Sequence, residues 1–206
     1  MFSNTALHNH RRTMRHLIAL GLAAIVFAMS SQAAALDAYK DRRGLFVGLG
    51  VGGGAGSVST DAPGEFTGLD QNYELGLHLN GIVGGGWTRN IIFGAEFNWW
   101  IRNVQVGERQ LDHQHMSFNA VTNVFLLGPL YLQAGAGLAY AVFDTFRAGD
   151  QTTEYREMGL ALKGGAGFEY FLNGTVAAGA QVGYTRHFYG GADFDTLAAG
   201  ITLRWY

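Results

Sequence analysis

Cysteine is absent from the chain, which excludes disulfide frameworks, thiolate metal centres and cysteine nucleophiles together. Long apolar runs are missing too. Beyond the first ~35 residues nothing approaches the ~20 consecutive apolar residues of a membrane-spanning helix, so a helical membrane protein is disfavoured. Proline occurs twice, whereas 31 of the 206 residues are glycine and 13% are aromatic. That balance suits many strands with small positions on one face better than helices or disorder.

The N-terminal segment reads as a targeting sequence. Arg11, Arg12 and Arg15 precede an apolar stretch from Leu17 to Met29, and Ala33-Ala34-Ala35 provides a small-residue exit. Residues 1–35 are therefore expected to be a signal peptide cleaved after Ala35, the apolar stretch being too short for an anchor. Met14 would also serve as a start and would leave a signal of ordinary length. Residues 36–43 then form a short periplasmic segment, and residues 44–206 the folded domain. Past Ala35 the chain keeps all 16 acids but 11 of its 14 Lys and Arg, a formal charge of −5. Nucleic acid is excluded as a partner on that balance.

Within residues 44–206 an apolar residue recurs at every second position in eight stretches, the period of a strand with one lipid-facing side. The first, about Gly44 to Val58, sends out Leu45, Val47, Leu49 and Val51 and turns Gly48, Gly50 and Gly52 inward. The second, about Glu74 to Thr88, sends out Leu75, Leu77, Leu79 and Val83 with His78 and Asn80 inward. The third shows Phe93, Ala95, Phe97, Trp99 and Ile101 against Gly94, Glu96, Asn98 and Arg102. The fourth, about His115 to Leu127, shows Met116, Phe118, Ala120, Val124 and Leu126 against Ser117, Asn119 and Asn123. The fifth exposes Leu130, Leu132, Ala134, Ala136, Leu138 and Tyr140 over Tyr131, Gln133, Gly135 and Gly137. The sixth, about Arg156 to Phe171, exposes Met158, Leu160, Leu162, Ala166, Phe168 and Tyr170 over Lys163, Gly165, Gly167 and Glu169. The seventh exposes Val176, Ala178, Ala180, Val182 and Tyr184 over Gln181, Gly183 and Thr185. The last exposes Leu197, Ala199, Ile201, Leu203 and Trp205 over Thr202 and Arg204.

Charge falls on the glycine-rich face and leaves the apolar face bare. A soluble barrel has the opposite arrangement, so the apolar face meets lipid. The fold class is all-β, an eight-stranded antiparallel up-and-down transmembrane barrel. Links of about two to four residues follow the even strands, including Arg89-Asn90, Gly128-Pro129 and an Asn173-Gly174 hairpin expected to use positive φ. Links of about ten to sixteen follow the odd ones, the asymmetry of a periplasmic and an outer end. The outward phase places Trp87, Phe93, Phe168, Tyr170 and Trp205 near the short-turn end and Trp99, Phe118, Tyr140 and Tyr184 near the long-loop end, two girdles at the membrane interfaces.

The signal segment, eight alternating stretches, loop asymmetry and aromatic last strand resemble the small outer-membrane barrels typified by the OmpA transmembrane domain and OmpX. The resemblance covers residues 44–206 and is one of pattern rather than of a diagnostic motif. It implies a monomer in the bacterial outer membrane, in contact with lipid and lipopolysaccharide and inserted by the barrel-assembly machinery. One departure concerns that machinery: Trp205 is in the outward phase, but Tyr206 lies one residue beyond it.

Charged or polar residues on the inner face are costly to desolvate unless they pair. Glu96, Arg102, Lys163, Glu169 and Arg204, with His78, Gln133 and Gln181, are expected to form a lumen network that plugs the barrel; Glu169 and Arg204 fall at similar depth. The outer loops carry Asp61, Glu65, Asp70, Glu74, Glu108, Asp112, Asp144, Asp150, Glu154, Glu157, Asp193 and Asp195 against Arg109, Arg147, Arg156 and Arg186. Such a surface suits basic or divalent-cation partners. His113 and His115 read as solvated loop histidines, although with His187 they contain the elements of a metal site. The lipid A deacylases pair a histidine here with a serine two residues on, and position 189 is tyrosine. Neither a cofactor, a resident metal nor a catalytic residue is therefore expected. A structural or surface-interaction role leads, with a narrow or gated porin-like channel second and a lipid A-modifying hydrolase third. Protein isolated from outer membranes is expected to begin at Leu36 on N-terminal sequencing, and a retained Leu17–Met29 stretch would contradict the signal-peptide reading.

Overall fold

The computed structural model describes residues 41–60, 73–106, 109–147 and 150–206, which fall within one compact unit, Lys40–Tyr206. The expected signal peptide, most of the segment after it, Asp61, Glu65, Asp70 and Glu108 lie outside the described residues. Eight strands follow in chain order: β1 (Gly44–Thr60), β2 (Glu74–Gly86), β3 (Ile91–Val106), β4 (Arg109–Leu127), β5 (Leu130–Arg147), β6 (Asp150–Phe171), β7 (Val176–Phe188) and β8 (Ala192–Trp205). Each pairs antiparallel with the next, and β1 pairs with β8 from Val47↔Trp205 to Thr60↔Ala192, closing the barrel. Closure is what lipid demands, because an unpaired strand edge in hydrocarbon leaves backbone groups without partners.

Side-chain phase follows the two-residue period. Leu45, Leu49, Leu75, Phe118, Leu160 and Ile201 are exposed, whereas His78, Glu96, Asn119, Gln133, Lys163 and Arg204 on the opposite phase are buried. An inside-out barrel therefore encloses its polar residues, and its apolar surface is the one that meets acyl chains. The girdle residues keep the outward phase: Trp87, Phe93, Phe118, Tyr184 and Trp205 are exposed, and Trp99, Tyr140, Phe168 and Tyr170 half-buried among neighbours on the wall. Trp87 and Phe93 pack at 6.1 Å between centroids.

The two ends differ from expectation in instructive ways. The short turns are residues 87–90, 128–129 and 172–175. Gly128 adopts φ 61°, a region that favours glycine, whereas Gly174 is not among the positive-φ glycines. The third turn is instead held by the Asn173 side chain, whose Oδ1 accepts from the N–H groups of Thr175 (2.8 Å) and Val176 (2.7 Å), an Asx turn. At the other end, three of the four expected long loops are largely strand. β3 and β4 are separated by residues 107–108, β5 and β6 by 148–149, and β7 and β8 by 189–191. Val104, Val106, Thr145, Phe146 and Tyr155 lie in these stretches, and β-branched and aromatic residues sustain strand pairing even where the neighbours are charged. β4, β5 and β6 reach 19, 18 and 22 residues, against the ~9–11 that span hydrocarbon, so these hairpins rise above the outer girdle.

Leu49 lies mid-strand on the lipid face, 59% exposed and opposite Gly81 and Leu203. Leu49→Arg is expected to cost ~2–4 kcal/mol in reversible urea unfolding from vesicles; an unchanged midpoint would show that this face does not meet hydrocarbon.

Candidate functional site in the barrel lumen

The candidate site is the lumen, where every strand contributes side chains at the inward phase. At the periplasmic end one carboxylate gathers four elements. Glu169 on β6 is buried and accepts from Arg204 Nη1 on β8 (2.9 Å), from Arg42 Nε ahead of β1 (2.9 Å) and from the Tyr206 hydroxyl (2.9 Å to each oxygen). Arg42 also donates from Nη2 to the Gly128 carbonyl at 3.2 Å and lies over the Phe125 ring at 3.8 Å. Arg204 Nη2 reaches the Tyr131 hydroxyl at 3.4 Å, and that hydroxyl donates to Gln181 Oε1 at 3.3 Å. Phe46, Ile82, Ile92, Val121, Phe125 and Tyr131 pack as a buried apolar cluster around these charges, with Tyr206 against it. Removal from water strengthens every Coulomb attraction inside and raises the cost of losing any partner. At the exposed lip, Arg43 donates to Asp41 from its guanidinium and its backbone N–H, holding that carboxyl down to about 2.

Mid-barrel, Glu96 on β3 is fully buried and ion-paired with Lys163 on β6; it also accepts from Gln133 Nε2 at 2.8 Å. Lys163 Nζ donates a further bond to Asn98 Oδ1 at 3.1 Å, so each member of the pair has one further partner. Asn119 beside it donates to Ser117 Oγ at 2.8 Å. A cavity of about 20 Å³ borders this layer, lined by His78, Tyr131, Gln133, Lys163, Gln181 and Thr185 among others. That is room for a water or two.

Towards the outer end the lining turns aromatic. Val58, Trp100, Ala141, Phe143 and Phe194 form a second buried cluster, with Tyr189 and Ala192 packed against it. The Trp100 indole donates to the Gly54 carbonyl at 2.9 Å. His113, His115 and His187 are buried here, not solvated: β4 begins at Arg109, so both imidazoles of the Asp112-His113-Gln114-His115 run sit on its inward phase. Arg102 stands apart from the deeper charges and pairs with Glu74 at 3.2 Å on β2.

The inward charges thus fall into three separate groups: Glu169 with Arg204, Glu96 with Lys163 and Gln133, and Arg102 with Glu74. Gln181 joins the first through Tyr131, and His78 lines the space beside the second. Sequence reasoning passed over Arg42, Tyr206 and Trp100. Trp100 carried a signal, since it holds the inward parity next to outward Trp99. Tyr206 carried one in being out of phase with Trp205: it faces the lumen, where its ring packs at a tilt against Phe46 and Phe171 and its hydroxyl bonds Glu169. Arg42 precedes the first alternating stretch and had none. In reversible unfolding, Lys163→Met is expected to cost ~3–5 kcal/mol by stranding the Glu96 carboxylate. The added change Glu96→Gln should recover part of that loss, and strictly additive effects would show that the two do not interact.

Residues 20–206 match the family described as the outer membrane protein beta-barrel domain. No curated protein matches the chain in sequence. Among solved structures, Ail of Yersinia pestis, in complex with the heparin analogue sucrose octasulfate, superposes with a TM-score of 0.59 at 13% identity, covering 78% of this chain and 99% of Ail. Neisserial surface protein A gives 0.50 at 13% identity over 78% of this chain and 98% of its own. At such identities the likeness extends to the fold. With a family match over most of the length and a closed eight-stranded barrel, the chain belongs to the outer membrane protein beta-barrel domain family and resides in the bacterial outer membrane.

Proposed function

We propose that this protein is a non-enzymatic surface barrel. Its lumen is sealed by its own charges, and its outward interactions run through the acidic upper ends of its strands. The observation that carries the reading is the pair of stacked, buried ion clusters, Arg42–Glu169–Arg204 and Glu96–Lys163. An eight-stranded barrel has an interior just wide enough to be filled by side chains. Here those side chains bond one another across it, and a solute would have to break both layers in turn.

The absence of catalysis is supported by the outer histidines. His187 Nδ1 bonds the Phe194 carbonyl at 3.1 Å, and the Tyr189 hydroxyl bonds His115 rather than His187. The hydrolase pattern needs His187 within hydrogen-bond reach of a hydroxyl two residues on, and Tyr189 does not form that pair.

What distinguishes the protein then lies outside. Asp112, Asp144, Asp193 and Asp195 share the outward phase on strands that rise past the outer girdle, with Asp112 directly opposite Asp144. Arg186 is one of the basic residues set against them, held by Asp193 at 2.6 Å. Ail was crystallised with a polyanion; the charge on this chain's outer surface suits basic or divalent-cation-carrying partners instead. The signal peptide, the assembly machinery, lipopolysaccharide contact and a monomeric state belong to the same reading.

In planar bilayers the purified protein is expected to give no unitary currents, and Arg42→Ala alone should stay silent because the Glu96–Lys163 layer still closes the middle. Reproducible currents from the unaltered protein would instead favour a narrow channel. Poly-lysine should bind vesicles carrying the protein in a salt-sensitive manner, and combined neutralisation of Asp112, Asp144, Asp193 and Asp195 to Asn should weaken it at least tenfold; unchanged binding would contradict an acidic docking surface.

A further inference from the structure

All four histidines among the described residues are buried in the lumen, and three of them, His78, His115 and His187, line one cavity of about 10 Å³ with Asn98, Trp100, Thr185 and Thr196. That volume suits one water or one ion, and its walls hold polar atoms without partners: His115 Nε2, Thr196 Oγ1 and Asn98 Nδ2. A buried polar atom left unpaired in a well-ordered interior calls for an occupant.

The two outer imidazoles are set up alike. A carbonyl only accepts, so the His187 Nδ1 that bonds the Phe194 carbonyl carries the proton, and the lone pair is left on Nε2. His115 has its Nδ1 against the Tyr189 hydroxyl at 3.1 Å; with that Nδ1–H donated, its buried Nε2 is likewise a free lone pair. Both rings line the cavity, and anchoring of one ring nitrogen by an oxygen is the outer-shell arrangement that orients metal-bound histidine. The rings are 5.8 Å apart between centroids. His115 is fixed further by stacking on Phe194, with centroids 3.4 Å apart and planes 5° from parallel. His113, by contrast, packs edge-on against Phe143 and does not line this cavity.

We propose that His115 and His187 hold one borderline divalent transition-metal ion of the Cu²⁺, Ni²⁺ or Zn²⁺ class through their Nε2 atoms, with water filling the remaining positions. Among the described residues no three His, Asp, Glu or Cys side chains stand together as a preformed metal group, so the site is a two-imidazole one and not a closed structural centre. Imidazole nitrogen selects these ions over Ca²⁺ and Mg²⁺, which want oxygen, and Cu²⁺ binds most tightly within the class. The mid-barrel carboxylate Glu96 is already bound by Lys163 and Gln133 and does not line this cavity. The acidic residues Asp112, Asp144, Asp193 and Asp195 would raise local cation concentration at the outer end.

The probe is Cu²⁺ added to protein purified from outer membranes in detergent, followed by electron paramagnetic resonance. The expected spectrum is one Cu²⁺ per chain with hyperfine coupling to two imidazole nitrogens. His115→Gln and His187→Gln should each weaken binding at least tenfold, while His113→Gln leaves it unchanged. A heat-modifiable band on electrophoresis identifies variants that keep the barrel. If either variant fails to fold, fluorescence decides: Trp100 lies 5.9 Å from His115 between ring centroids, so bound Cu²⁺ should quench it, and Trp100→Phe should remove the quenched component. Absence of Cu²⁺ binding, binding insensitive to both glutamine variants, or quenching that survives Trp100→Phe would overturn the proposal.

Discussion

Hydrocarbon offers the backbone no hydrogen-bond partner, and the remainder of the structure follows from that constraint. Every N–H and C=O crossing the membrane must be bonded to another strand, so β1 returns to β8 and the sheet closes. Eight strands make a narrow ring, and whatever points inward is cut off from bulk solvent as well as from lipid. The inward residues must therefore satisfy one another, which is why Glu96 takes both Lys163 and Gln133 and why Glu169 takes two guanidiniums and a hydroxyl.

Glu169 illustrates how such a lumen ties distant parts of the chain together. Its partners come from ahead of β1, from β8 and from the residue that follows β8. The carboxylate thus bonds across the seam where the sheet closes on itself, and the apolar cluster around it keeps water from competing. The lumen grades upward from this clasp through the Glu96 layer to an aromatic cap. The ion pairs of Glu169 and Glu96 hold the lower and middle lumen, and His113, His115 and His187 with Trp100, Phe143 and Phe194 occupy the end nearest the outside.

Much of the architecture was legible because a lipid-facing wall imposes a two-residue period with few exceptions. Leu45 to Val51, Phe93 to Ile101 and Leu130 to Tyr140 each give the phase unaided, and a one-residue slip would turn Glu96 or Lys163 into lipid. The upper hairpins were harder to read, since above the membrane both faces of a strand are wet and the alternation fades; Gln105, Asp112 and Thr153 look like loop residues although they are paired. The same loss of pattern hid the buried state of His113 and His115. Within the lumen, parity shows which residues face inward but not who meets whom, because partners across the barrel are fixed by strand tilt and register. Arg42 bonding Glu169 across 127 residues is such a case.

The proposed function requires a lumen closed to solutes by bonded side chains. Because the chain has no cysteine, single cysteines report access without background. Ala161 lines the interior on the outer side of the Glu96–Lys163 layer and Ala177 beside Arg204 below it, each 1% exposed and small enough to exchange with little strain. Ala161→Cys and Ala177→Cys, in intact outer membranes and in vesicles open to both sides, should resist a small charged methanethiosulfonate reagent until the barrel is unfolded. Modification of both positions in the folded protein, at rates near those of an exposed thiol, would contradict the sealed lumen.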